Sequence, residues 1–95
     1  EGQEAREIAV AGDEYSFSPA GISVTKGEKV KLTFTNTGKL PHNFRVDELG
    51  VATKTISTGA SDTVEFTASQ TGIFTSYCGV GNHRSLGMEG EMEVK

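Results

Sequence analysis

The 95-residue chain has one cysteine, two histidines, two methionines, two prolines and no tryptophan. A lone cysteine, Cys78, excludes an internal disulfide, and a free thiol is a liability in an oxidising space unless something ligates it. Long apolar runs are missing too. None approaches the roughly 20 residues a bilayer-spanning helix needs, and the first ten residues carry three Glu and one Arg, which is no signal-peptide pattern. Positive charge is in short supply, nine Lys and Arg against thirteen Asp and Glu. The net charge of −4 therefore argues against nucleic acid or an anionic membrane surface as a partner. Recurrence of apolar residues at three-four spacing is nearly absent, which excludes a helical bundle.

Period-two alternation fills the space the helices leave. Val30-Lys31-Leu32-Thr33-Phe34-Thr35 puts its apolar set on one face of a strand. Thr, Val, Ile and Phe dominate such runs and twelve Gly punctuate them. The pattern predicts an all-β sandwich of two packed antiparallel sheets, with strands over residues 6–11, 15–18, 21–25, 29–36, 43–47, 53–57, 62–68, 72–78 and 88–95. Residues 47–61 are the least legible stretch, open to a short helical turn or a loop in place of the strand at 53–57. One domain over 6–95, with a tail at 1–5, accounts for the length.

Parity orders the last two strands. Cys78 shares a face with Ser76 and Phe74, and Met88 shares one with Gly90, Met92 and Val94, so these faces should point inward. The opposite faces carry Tyr77, Thr75 and Ile73 on one strand and Glu89, Glu91 and Glu93 on the other. Three carboxylates in a row read as a solvated face, with a docking patch for a basic protein as the rival reading. The connection between Cys78 and Met88 then becomes a loop with a soft donor at each end and His83 midway, at five-residue steps.

A thiolate, imidazoles and a weak thioether are the donors of a trigonal copper site that supports both oxidation states of the metal. His42, the other histidine, lies far upstream in Pro41-His42-Asn43-Phe44. Zinc accepts Cys and His but seldom a thioether. A buried core cysteine is the bland alternative for Cys78, yet it leaves His83, Met88 and His42 without a reason to fall where they do.

These two segments, Tyr77-Cys78-Gly79-Val80-Gly81-Asn82-His83-Arg84-Ser85-Leu86-Gly87-Met88 and Pro41-His42-Asn43, resemble the ligand loops of the small blue copper proteins, the cupredoxins, and the likeness extends from about Glu7 to Lys95. The Cys-x4-His-x4-Met spacing is closer to that of rusticyanin and sulfocyanin than to the shorter loops of plastocyanin and azurin. The resemblance implies a Greek-key β-sandwich or barrel of about eight strands, holding one copper ion between His42, Cys78 and His83 as equatorial ligands and Met88 as the axial one. It also implies that Asn43 ties the two loops together beside the sulfur. The implied function is one-electron transport by a periplasmic or otherwise extracytoplasmic monomer. Redox partner proteins would dock transiently near His83, inside an apolar patch of Leu40, Pro41, Val80, Leu86 and Gly87, with Tyr77 as a second exit for electrons. Copper enzymes of the same fold need further histidines, and a third His exists nowhere in this chain. A copper-binding or delivery module, sharing the same residues, is the remaining alternative.

Overall fold

The computed structural model describes residues 5–95. Of the tail expected at 1–5, only Ala5 falls within that range. Among the described residues nine strands form: β1 (Arg6–Asp13), β2 (Ser16–Ser18), β3 (Gly21–Val24), β4 (Lys29–Asn36), β5 (Arg45–Val46), β6 (Val51–Ala52), β7 (Ser61–Thr67), β8 (Gly72–Tyr77) and β9 (Glu89–Val94), with one 3-10 turn at Asp47–Leu49. They make two sheets, ordered β2-β1-β4-β7 and β3-β9-β8-β5-β6. The all-β sandwich is as expected.

The sheets are mixed and not purely antiparallel, which corrects the sequence reading. β1 runs parallel to β4, Arg6 opposite Val30 through Gly12 opposite Asn36, and β3 runs parallel to β9. The chain leaves β2 for the other sheet, forms β3, and returns as β4, running in the direction of β1 and opposite to β2. Local alternation carries no information about such crossovers.

A second correction concerns residues 53–57. No strand forms there; the β-structure of this region is the two-residue β6, and further on only an isolated bridge between His42 and Ile56. Thr53 is instead turned inward, its hydroxyl accepting the Phe44 amide at 2.9 Å. β1 pairs with β2 as far as Asp13 opposite Ser16, so β1 runs past the 6–11 expected of it and the turn between the two strands is Glu14-Tyr15.

Between the sheets lie Val10, Leu32, Phe34, Phe44, Val46, Met92 and Val94, all buried. Phe17 stands edge-on to both Phe34 and Phe44, with centroids 5.8 and 5.1 Å away, which is the preferred arrangement for aromatic quadrupoles. Gly12 lets β1 approach this cluster closely, for a Cβ there would fall 2.6 Å from the Phe34 ring and 3.0 Å from Met88 Cε. Strand parity holds as expected: Ser76, Cys78, Met88, Met92 and Val94 are buried, whereas Ile73 and Glu89, Glu91 and Glu93 face out.

Two features aim the candidate residues at one end of the sandwich. The antiparallel pairing of β8 with β9, Tyr77 opposite Glu89, makes residues 78–88 a closed loop. The single pair Arg45 opposite Tyr77 then lays the residues before β5 alongside those after β8, bringing Asn43 to Gly79.

Candidate metal centre

Cys78 leaves the end of β8 with its amide donating to the Met88 carbonyl at 3.2 Å, and the Met88 amide donates to the His83 carbonyl at 3.1 Å. Three of the four candidate residues are thus clasped by their own backbone. Within the loop, the amides of His83, Leu86 and Gly87 bond to carbonyls three or four residues back, so the segment is a run of tight turns. The fourth residue, His42, comes from the β4–β5 connection. Its amide and carbonyl both bridge to Ile56, at 3.1 and 2.9 Å.

The structure brings the side chains together. Cys78 Sγ lies 3.8 Å from His42 Nδ1 and 3.6 Å from His83 Nδ1, and one ligand atom from each residue falls within 4.8 Å of the other two. The three are 1%, 0% and 7% exposed, and Met88 is fully buried. Three buried donor atoms this close together are what a bound ion requires. The two S···N edges of 3.8 and 3.6 Å leave room for one ion held by all three donor atoms. The residues fit the group.

Asn43 works at the junction. Its amide donates toward Cys78 Sγ at 3.5 Å, its Oδ1 accepts the Gly79 amide at 2.6 Å, and its Nδ2 donates to Thr55 Oγ1 at 3.0 Å. A side chain at Gly79 would crowd this contact, since a Cβ there would lie 2.9 Å from Arg45 Cδ and 3.5 Å from Asn43 Oδ1.

Sequence reasoning missed three residues here. Asn36, buried at the end of β4, donates to the Leu40 and Ile56 carbonyls at 2.8 and 2.9 Å and accepts the Gly38 amide at 2.8 Å, shaping the loop that carries His42. Tyr15 lies tilted against His83 with ring centroids 5.2 Å apart. Glu14 places Oε2 2.7 Å from His42 Nε2 while the Lys39 and Leu40 amides donate to the same carboxylate. Those amides, Lys39 first, and then the His42 ring hold its carboxyl down at about 2. No motif marks any of the three; the lone clue is that Asn36 is a polar residue closing an apolar face.

Around the rim, Leu40 and Leu86 are exposed at 40% and 48%, Pro41 and Gly87 are exposed, and Val80 packs against the core. Tyr77 is half-buried. Its hydroxyl donates to the Asp47 carboxylate at 2.8 Å, and the Arg84 guanidinium sits 4.2 Å above its ring while bonding Glu89 at 2.6 Å. Glu89 is therefore paired with Arg84 while staying on the solvated face expected of it.

Fold and donor set define a small copper-binding β-sandwich. The chain belongs to the cupredoxin-like domain family, which residues 1–92 match. It is 38% identical to plastocyanin A/B of Petroselinum crispum, over 82% of this chain and 86% of that one, and 36% identical to the chloroplastic plastocyanin of Solanum lycopersicum, over 95% of this chain and 58% of that one. Among solved structures, reduced auracyanin from Roseiflexus castenholzii superposes with a TM-score of 0.84 at 25% identity, over 96% of this chain and 98% of that one. The blue copper oxidase of Nitrosomonas europaea shares the fold at 21% identity and a TM-score of 0.85, over 97% of this chain and 39% of that longer one. The cofactor is copper, one ion per chain, and the protein is of the electron-carrier kind.

Proposed function

We propose that the chain is a one-electron carrier whose copper ion cycles between Cu(II) and Cu(I). The observation that carries this is the convergence of His42 Nδ1, His83 Nδ1 and Cys78 Sγ in a buried cluster. In this reading these three would hold the ion, with Met88, buried at the end of the same loop, as a fourth, weaker donor. When bound, copper supplies a centre that accepts one electron and gives back one electron, with no bond made or broken in a substrate.

The chain's own residues do the rest. The 42 and 78–88 segments, held to each other by Asn43, keep the donors in one arrangement for both oxidation states, which lowers the cost of rearrangement on each transfer. Burial shuts out a fifth ligand. This and the presence of only two histidines support a carrier in place of an enzyme, since neither a second catalytic copper nor a three-copper cluster can be assembled from this sequence. Exposed Leu40 and Leu86 at the site end support transient docking of redox partners near His83, the small apolar patch suiting brief encounters. We place the chain as a monomer outside the cytoplasm, by its family likeness.

Anaerobic reduction and reoxidation of the copper-loaded protein tests the reading. One electron per chain, taken up and returned with full recovery of the oxidised visible spectrum, is expected. Release of copper to a mild chelator within seconds would instead favour a delivery role, and turnover of an added phenolic or nitrite substrate would favour an enzyme.

A further inference from the structure

We propose that Glu14 is a positioning residue for the copper site, which fixes His42 by bonding to its outer nitrogen and, by its negative charge, favours Cu(II) over Cu(I). The inference rests on the electron-carrier reading and on His42 as a ligand. His42 is fully buried and turns Nδ1 toward Cys78 Sγ, so Nε2 needs a partner within the protein. Glu14 Oε2 is that partner, at 2.7 Å. An acceptor there keeps the ring proton on Nε2 and leaves the Nδ1 lone pair free for the metal. A carboxylate on the outer nitrogen of a ligating imidazole also raises its basicity.

The carboxylate is itself immobilised. Its two oxygens accept the Lys39 amide at 3.0 and 2.9 Å, and Oε2 accepts the Leu40 amide at 2.9 Å, so the loop that carries His42 wraps the group that holds His42. Gly38 makes room for it, as a Cβ at that position would fall 2.8 Å from Glu14 Cδ. Glu14 belongs to the β1–β2 turn, an element that contributes none of the four candidate ligands. The next residue, Tyr15, packs on His83. One short turn therefore braces both imidazoles from behind.

The test compares Glu14→Gln and Glu14→Ala with the parent and with Glu65→Gln, which removes the same charge from an exposed position on β7. Cu(II) and Cu(I) affinities, the reduction potential and long-range proton–nitrogen correlation spectra of the diamagnetic Cu(I) protein are recorded. Both Glu14 variants should keep the charge-transfer colour, bind Cu(II) about 10- to 100-fold more weakly, and lose less affinity for Cu(I). A tenfold difference between the two losses is a potential about 59 mV higher. The His42 Nε2 proton should be observed in the parent and lose its strong hydrogen-bond shift in Glu14→Ala. Glu65→Gln should leave all of these unchanged. Unchanged affinity and potential in a folded, coloured Glu14→Gln would overturn the proposal, as would an equal shift in Glu65→Gln. A parent protein that never develops colour with copper would overturn the carrier reading itself, a result separable from either of these.

Discussion

Asn43 Oδ1 accepts the Gly79 amide at 2.6 Å and so joins two loops whose residues stand 36 apart in the chain. The same residue's backbone amide points at the Cys78 sulfur, 3.5 Å away. Asn43→Ala removes the side-chain tie and leaves the amide in place. The variant should stay coloured, lose about 1–3 kcal/mol of stability through the orphaned Gly79 amide, and show a shifted potential. Denaturant melts paired with voltammetry check this, and a colourless variant would contradict it.

Cys78→Ala should abolish the thiolate charge-transfer band while the fold persists, because Cys78 fills little volume and its backbone bond to Met88 remains. Far-ultraviolet circular dichroism establishes the fold, and an intact visible band would reject the assignment of the thiolate.

Met88→Leu keeps an apolar side chain of similar size in a fully buried place. Copper should remain bound and the potential should rise, as a weak donor gives way to hydrocarbon. A lowered potential would mean that another group is axial.

Asn36→Ala strands the Leu40 carbonyl and the Gly38 amide and leaves the Ile56 carbonyl with the His42 amide as its remaining donor, all in the loop region around His42. A loss of about 2–4 kcal/mol is expected, with faster copper exchange as the loop loosens. Chemical denaturation and chelator competition measure the two effects.

Glu28 gives the pH dependence away from the site. The Thr25 amide donates to its carboxylate at 3.0 Å and Arg6 lies 3.3 Å away, together holding its ionisation below the ordinary carboxylate range. A group depressed in the folded state stabilises above its unfolded value, and that contribution fades as pH falls through the folded one. Glu28→Gln should therefore lower the urea midpoint near neutrality and match the parent in strong acid. A difference that grows toward acid would contradict the sign.

Much of this architecture was legible because long strands advertise themselves. β4 appears at residues 29–36 as alternation predicts, and β9 buries Met92 and Val94 as its parity requires. The two-residue β5 and β6 are too short to show a period, so 43–47 and 53–57 were overdrawn. Parallel pairing was invisible for a different reason: it depends on where the chain crosses between sheets. At the site, fixed spacing makes Cys78, His83 and Met88 stand out, His42 joins them as the chain's other histidine, and the resemblance adds Asn43. Glu14 could not be found this way. It meets His42 across 28 residues through one hydrogen bond, from a turn with no pattern of its own.

The most direct test of the central claim is a spectroelectrochemical titration of the copper-loaded protein, followed optically and by electron paramagnetic resonance. The account predicts an intense visible charge-transfer band and a small copper hyperfine splitting in the oxidised state, both lost and regained with one electron per chain over repeated cycles. A colourless copper complex, or a band that does not return on reoxidation, would contradict it.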